Sequence, residues 1–306
     1  MSDWPLIAVR FALYLDLGLV FGWPLFCLYA PLVEGRSEPV PIGVPITLFG
    51  VLGFMLSGLG FLLMLAAMSG SGIAELDPAV VGMMLRETVV GWSFLARTAS
   101  LLLTITAGLM VRWPRLPRLV MASLGGAVAL ASLAWNGHAA ATEGGLELLH
   151  LGSDFLHLWA AGAWLGALFA LLAMLVRRSP TPAQLDSAQR ALHGFSRAGT
   201  AVVAILVVTG IANAAILVGG SSLAAAAAGR WGQLLVVKLL LFGAMLALAA
   251  ANRFRLTPRL QKSIAGGDTG AAVTALRLSV GLETATLVLI LALVGWLGTL
   301  EPVPGL

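Results

Sequence analysis

Three of the chain's four histidines lie close together in the sequence, with a carboxylate among them. His138, His150 and His157 fall within twenty residues of one another, and Asp154 stands between the last two. Imidazole is a ligand for copper, zinc, iron and nickel, and a carboxylate either adds a donor atom or orients a ligating imidazole. In a chain with only 10% charged residues, this cluster predicts a metal site.

The spacing of these residues indicates that they share a helix face. Because an α-helix advances 100° per residue, His150, Asp154 and His157 project within about 60° of one another. His138 follows Gly137, which allows the chain to turn back sharply at that point. We therefore expect three nitrogens and one oxygen to meet at the mouth of a long apolar helix.

Each of these residues taken singly has a simpler explanation. A lone histidine here is typical of an amphipathic side chain at a membrane interface. Asp154 alone would be explained by a salt bridge with Arg97 or Lys238. The metal hypothesis therefore depends on the aligned set.

Methionine offers a second type of donor. Met64 and Met68 are four residues apart, and Met83 lies in the segment that follows them. Thioether sulfur selects Cu(I), whereas imidazole and carboxylate also hold Cu(II), so sulfur and nitrogen donors together would point to copper. Methionine also fills apolar gaps routinely, and the single cysteine, Cys27, is either an exit ligand or a buried apolar residue.

The elements that must position these residues are transmembrane helices. Of the 306 residues, 59% are hydrophobic, and the mean hydropathy is +0.97. Apolar runs long enough to cross a bilayer, without the alternation of a membrane barrel, recur at 5–29, 44–68, 88–111, 118–136, 153–176, 197–218, 231–251 and 280–298. The sequence predicts one all-α domain over residues 1–306, a polytopic bundle of about eight transmembrane helices in a lipid bilayer.

The basic residues predict how the bundle is oriented. Thirteen lysines and arginines fall in one set of alternate connections, and the other set holds only Arg86 and Arg230. Because cytoplasmic loops carry the excess of these residues, we expect both termini and the histidine cluster to be periplasmic, and His193 to face the cytoplasm. This distribution explains the net charge of +4, so no nucleic-acid partner is expected.

Several polar groups fall inside the predicted spans, where each costs at least about 2.5 to 3.5 kcal/mol unless it is paired or hydrated. Those in the outer halves predict a polar funnel open to the outside, above a drier inner half: Arg10, Asp16, Arg97, Asp154, Asn213 and Lys238. Glu283, near the inner end of the last run, is expected to pair with Arg253 or Arg255.

Two connections have features of their own. Asp77-Pro78 has the form of a capped helix start, which predicts a short interfacial helix over 78–86. Residues 252–279 are predicted to form the largest inner loop, because they are basic and interrupted by glycine.

Three stretches resemble a known family. Trp135-Asn136-Gly137-His138, the segment from His150 to Gly166, and the segment from Lys238 to Leu260 are similar in order and spacing to the CopD/PcoD copper-resistance membrane proteins. The resemblance implies an inner-membrane protein of copper homeostasis that takes Cu(I) or Cu(II) from the periplasm. It also implies a separate, CopC-like periplasmic copper-binding protein as partner.

The resemblance assigns metal handling to His138, His150, His157 and Asp154. Two other functions remain open from the residues alone. His138 and His157, on different helices, would suit the two axial positions of a haem in an electron-transfer protein. A copper sensor or chaperone would need the same outer site without transport. The sequence has no phosphate-binding loop, nucleophile elbow or His-Glu-x-x-His pair, so we expect neither an ATP-driven pump nor an enzyme.

Overall fold

The computed structural model describes residues 4–30, 42–136, 145–176, 182–218, 229–266 and 269–300. Every regular element in these ranges is helical. Eight of the described helices are long and apolar enough to cross a membrane. The predicted all-α bundle of eight spans is therefore confirmed.

The described residues form ten α-helices, of which α3 is short and separate and α9 continues the seventh candidate span, α8, at its inner end. The helices are α1 Trp4–Tyr29, α2 Gly43–Ser69, α3 Pro78–Glu87, α4 Val89–Leu109, α5 Arg115–Ala131, α6 Glu147–Leu175, α7 Pro182–Val218, α8 Arg230–Ala251, α9 Thr257–Gly266 and α10 Gly270–Leu297. A π-helical turn, Asn252–Leu256, joins α8 to α9, and a short 3₁₀ helix, Ser132–Asn136, extends α5. We call the end where α1 begins the outer end, following the orientation that the basic residues predict, and the opposite end the inner end.

The helices differ from the predicted runs mainly at the inner end. The prediction of a large loop at 252–279 is wrong, because the π-helical turn and α9 continue α8 to Gly266 and α10 begins at Gly270. Likewise α7 begins at Pro182 rather than at residue 197. Both extensions are polar segments, which is why hydropathy did not include them in the predicted runs. Their backbone groups nevertheless form the hydrogen bonds of a helix.

The first span lies at the centre of the bundle. α1 packs against α2, α5, α6 and α10, and its middle is buried around Leu17 and Val20. α2 packs on α4, α6 on α7, and α8 on α10, whereas α7 and α8 have little contact with each other. α1 thus separates one group of spans from the other, and α7 and α8 lie at the periphery.

Glycines allow α1 to approach α6 and α5 at backbone distance. A Cβ atom at Gly22 would overlap the carbonyl oxygen of Gly162 and lie 2.9 Å from the Cα atom of Gly166. A Cβ atom at Gly126 on α5 would lie 2.6 Å from the Cα atom of Phe21. Small residues spaced four apart, as in Gly162 and Gly166, are the usual means of such close packing in membranes.

The short helix predicted over 78–86 is present as α3. The side chain of Asp77 accepts a hydrogen bond of 2.8 Å from the backbone N–H of Ala79, and Pro78 occupies the first helical position. A capping carboxylate and a proline without an N–H are both favourable there, because the first backbone N–H groups of a helix have no internal partner.

A buried arginine closes the inner end of α4. Arg118 of α5 is 5% exposed and donates hydrogen bonds of 3.0 Å to the carbonyl oxygens of Ala107 and Gly108. These oxygens belong to the last turn of α4, where carbonyl groups have no partner within the helix. Arg118 therefore ties α4 to α5 and offsets the polarity of that helix end.

Replacing Arg118 with methionine is expected to lower the free energy of unfolding by about 2 to 3 kcal/mol, because it leaves two buried carbonyls without charge-assisted hydrogen bonds. The measurement is denaturant unfolding in mixed micelles. Arg112→Met is the control, since Arg112 is an exposed arginine of the same connection. Equal destabilisation by both substitutions would contradict the assignment.

Candidate functional site

The sequence-predicted cluster lies on α6, near its outer end. His150, Asp154 and His157 all fall within α6, which begins at Glu147, and His150 is only 1% exposed. Asp154 and His157 are half-buried and form hydrogen bonds with residues of α7. His138 lies outside the described residues. These three residues thus form a polar face of α6, as their spacing in the sequence predicted.

A chain of hydrogen bonds fixes the tautomer of His157. Its Nδ1 atom lies 2.9 Å from Oγ1 of Thr209 on α7, and that hydroxyl donates its own hydrogen to the carbonyl oxygen of Ile205 at 2.6 Å. The hydroxyl can therefore only accept from the ring, so Nδ1 carries the hydrogen. The Nε2 atom of His157 is left with a free lone pair, the state in which imidazole binds a metal.

Asp154 completes a contact among three helices. Its Oδ1 atom accepts a hydrogen bond of 2.5 Å from Nδ2 of Asn213 on α7. Lys238 of α8 lies near enough to interact electrostatically with both Asp154 and His157. We call Asp154, His157, Thr209, Asn213 and Lys238 the outer cluster. It holds one carboxylate, one cation and one oriented imidazole.

The axial spacing on α6 limits which residues can share an ion. His150 and His157 are seven residues apart, which is about 10 Å along a helix at 1.5 Å per residue, whereas a metal bound by nitrogen is about 2 Å from each ligand. No group of three His, Cys, Asp or Glu residues able to hold a metal occurs in the described ranges. A full ligand set around His157 would therefore need Asp154 and donors from outside those ranges, such as His138.

The sulfur atoms lie elsewhere in the fold. Met64 and Met68 are on α2, which packs on α1 and α4, and Met83 is on α3. Met68 is 68% exposed and Met83 is 47% exposed. The structure therefore does not bring these methionines to the outer cluster. Cys27 is buried within the hydrophobic core, as the apolar alternative predicts.

A second polar group faces the outer half between α1 and α4. Arg10, Tyr14, Met64 and Arg97 line a cavity of about 190 Å³. Tyr14 interacts electrostatically with Arg10 and Arg97 and also with Asp154, so it lies between this cavity and the outer cluster. The outer-half polar residues are thus arranged as two groups on either side of α1.

Asp16 belongs to neither group. It is 3% exposed, and within the described ranges neither of its carboxylate oxygens has a hydrogen-bond partner. Its Oδ2 atom faces Gly53 of α2, where a Cβ atom would lie 2.5 Å away. The glycine thus leaves space for the buried carboxyl group.

Glu283 has partners other than the predicted arginines. Its Oε1 atom accepts a hydrogen bond of 2.9 Å from Nε1 of Trp164, and its Oε2 atom accepts one of 2.7 Å from Nδ2 of Asn252. The expected pairing with Arg253 or Arg255 is wrong, because both arginines are exposed on the π-helical turn. A cavity of about 460 Å³ with a mainly apolar lining lies beside Glu283.

Sequence reasoning missed Thr209 and Asn252 as partners of the titratable groups. An isolated threonine or asparagine in a span carries a weak signal, since its hydroxyl or amide often bonds within its own helix. The indole N–H of Trp164 is a further partner, since it donates a hydrogen bond to Glu283. Only the order of helices around the bundle reveals these pairs.

Comparisons with known proteins agree over the whole length. A family described as "Copper resistance protein D-like, N-terminal domain" matches residues 1–148, and one described as "Copper resistance protein D" matches residues 189–297. The chain is 41% identical over 308 residues to copper resistance protein D of Pseudomonas syringae pv. tomato, covering 99% of this chain and 98% of that protein. It is 28% identical over 298 residues to inner membrane protein YebZ of Escherichia coli (strain K12), covering 97% and 98%. No solved structure matches the chain.

Proposed function

The chain belongs to the copper resistance protein D family, and on that premise we propose that it captures copper at the outer cluster and carries it inward across the membrane. The relative from Escherichia coli is named an inner membrane protein, and the eight spans suit the same location. We further propose that the outer cluster faces the periplasm, where a separate CopC-like protein would deliver copper.

The observation that carries this proposal is the orientation of His157. Its Nδ1–H is held by Thr209, whose hydroxyl is itself tied to Ile205, so the Nε2 lone pair is available for a metal. The carboxylate of Asp154 is three residues away on the same face, one turn along α6. An imidazole with a carboxylate suits Cu(II), and added sulfur donors would suit Cu(I).

Asp154 and Lys238 give the site its charge balance. A carboxylate in a membrane interior requires a cation or strong hydrogen bonds, and Asp154 has Asn213 and the nearby ammonium group of Lys238. An arriving copper ion would take over the role of that cation. Lys238 is therefore proposed to stabilise the metal-free site and to favour release of copper once it is bound.

The sharpest test of the ligand assignment is Thr209→Val, which removes the hydroxyl and keeps the shape. Loss of a partner that orients a ligating histidine typically weakens metal affinity by 10 to 100-fold, so we expect copper to bind at least about tenfold more weakly. Competition with a copper-chelating dye on purified protein measures this. Thr286→Val is the matched control, because the hydroxyl of Thr286 donates a hydrogen bond to the carbonyl oxygen of Leu282 in its own helix, α10. Unchanged affinity in Thr209→Val would remove His157 as a ligand.

Transport is tested separately from binding. Vesicles that contain the purified protein are expected to take up copper from a chelator-free outer medium. The amount taken up should be proportional to the amount of protein in the membrane. If the protein binds copper but the vesicles take up none, the result would contradict import and favour a sensor or chaperone function. An absorption spectrum with a Soret band would instead favour the haem-binding alternative.

A further inference from the structure

A cavity in the inner half of the bundle has a carboxyl group in its wall. It has a volume of about 460 Å³ and is bounded by α6, α7, α8, α10, the π-helical turn and the first residue of α9. Its walls are mainly apolar, and Glu283, Asn252 and Arg253 are among its polar lining. A cavity of this size between helices of a bundle is typical of a binding site, and the outer cluster does not include it.

Glu283 is buried there with neutral partners only. It is 2% exposed, and its two oxygens accept hydrogen bonds from the indole N–H of Trp164 and the amide of Asn252. No salt bridge to Glu283 occurs among the residues the structure describes. A permanently ionised carboxylate without a cation is costly at this depth, so the site is built for a carboxyl group that can be neutral.

Asn252 can serve both protonation states. Its Nδ2 atom lies 2.7 Å from Oε2 of Glu283, while its Oδ1 atom is buried and has no hydrogen-bond partner among the described residues. An ionised Glu283 accepts from the amide N–H₂, whereas a protonated Glu283 can donate its O–H to Oδ1 after the amide turns over. The hydrogen bond between the two side chains therefore survives in either state, and Trp164 can donate in both.

The helix changes from α-helical to π-helical geometry at the same residue, Asn252. The π-helical turn Asn252–Leu256 begins at Asn252, and Arg253 and Phe254 at the mouth of the cavity are exposed. π-helical turns inside α-helices are frequent at functional sites. On the outer side, Leu287 and Ile290 of α10 and Met245 of α8 are buried. The exposed lining residues Arg253 and Phe254 thus give the cavity access to the surface near the inner end, and buried apolar side chains follow on its outer side.

Other charged groups near Glu283 are accounted for by partners or by distance. Arg253 donates a hydrogen bond to Thr200, and Arg277 of α10 donates one to the carbonyl oxygen of Leu175. On the surrounding helices the other described charged or titratable groups lie toward the outer end or on exposed positions, except Cys27, which is in the hydrophobic core near the inner end of α1. They are Arg10, Tyr14, Asp16 and Tyr29 of α1, Glu147, His150, Asp154 and His157 of α6, Asp186, Arg190 and His193 of α7, Arg230 and Lys238 of α8, Arg255 of the π-helical turn, and Arg259 and Lys262 of α9.

We propose that Glu283 and Asn252 form a proton-binding site that exchanges its proton with the inner side of the membrane through this cavity. In this step the carboxylate of Glu283 takes one proton from water on the inner side and becomes a neutral carboxyl group. The reverse step returns the proton to that water. Its link to copper rests on the proposed function: proton uptake and release at Glu283 accompanies the inward passage of copper.

Infrared spectroscopy tests the site without any transport. The C=O band of a protonated carboxyl group should change with pH in the wild type and be missing in Glu283→Gln, in which glutamine mimics the protonated acid. Glu147→Gln, at an exposed position on α6, should keep the band. Trp164→Phe should shift its frequency, since the carboxyl group loses one donor. A pH-independent band, or one that persists unshifted in both Glu283→Gln and Trp164→Phe, would overturn the proposal.

Vesicles with a pH-sensitive dye trapped inside test the link to copper. Copper uptake by the wild type should be accompanied by proton movement, and Glu283→Gln should lose that movement while copper still binds at the outer cluster. Uptake with no proton movement in the wild type, or equal movement in the variant, would overturn the coupling. If the wild type takes up no copper, the import proposal fails, and the infrared result still decides whether Glu283 binds protons.

Discussion

Replacing Gly22 with alanine is expected to prevent stable folding, although it adds a single methyl group. The new Cβ atom would overlap the carbonyl oxygen of Gly162 and press on the Cα atom of Gly166, both of which are backbone atoms of α6. Overpacking costs about 1 to 3 kcal/mol where side chains can move, and here no flexible side chain is available to yield. We expect a loss of at least about 3 kcal/mol.

The loss should be large because the contact lies at the centre of the bundle. α1 packs more extensively on α6 than on any other described helix, and it also supports α2, α5 and α10. Separating α1 from α6 by the width of a methyl group would therefore loosen several interfaces together. Close approach of small residues is what drives such helices together in lipid, where the hydrophobic effect between spans is weak.

The measurement is the yield of monodisperse protein in detergent, followed by denaturant unfolding in mixed micelles. Gly243→Ala on α8 is the matched control, because no atom lies within 4 Å of its Cβ position. That substitution should be neutral or stabilise the helix by up to about 1 kcal/mol, the usual advantage of alanine over glycine. Wild-type stability in Gly22→Ala would show that the two helices are farther apart than the structure places them.

The eight spans were predictable because lipid leaves the backbone no alternative. Every N–H and C=O group in a span must be paired within its own segment, so a long apolar run implies a helix. The same argument does not cover residues 182–196 and 252–266, which are polar and yet form helices. Their helical structure depends on local helix propensity and on packing against the spans, and a hydropathy pattern predicts neither of these.

The candidate site was predictable only within one helix. Helical periodicity placed His150, Asp154 and His157 on a common face of α6, as the structure has them. It did not identify Thr209, because which span packs beside α6 depends on the arrangement of the whole bundle. The same helix geometry separates the two histidines by about 10 Å along the axis, a distance that angular alignment alone does not take into account.

Opposite changes in copper affinity are expected from the two charged members of the outer cluster. Asp154→Asn keeps the shape and the contact to Asn213 but removes the negative charge, so copper binding should weaken by about a hundredfold. Lys238→Gln removes a nearby positive charge and should strengthen binding by about tenfold. Glutamine is preferred to methionine at residue 238, since a thioether would add a copper ligand.

The sign of the Lys238 effect separates two roles for this residue. If the ammonium group stands where the copper charge will be, the metal-free site loses its counter-charge in Lys238→Gln and binds copper more tightly, and release into the membrane slows. If Lys238 instead serves to hold Asp154 in place, the same substitution weakens binding. Dye-competition titrations of both single variants and of the double variant measure the affinities.

The double variant decides whether the two residues act through the same charge balance. Lys238 of α8 interacts electrostatically with Asp154 of α6, so their effects should not simply add. With Asp154 neutral, removal of Lys238 changes only the repulsion of copper, and affinity should recover part of the loss seen in Asp154→Asn alone. His193→Ala is the control for all three variants, because this histidine is exposed on α7 near the inner end. Full additivity would mean that Lys238 affects copper directly and has no part in holding Asp154 ionised.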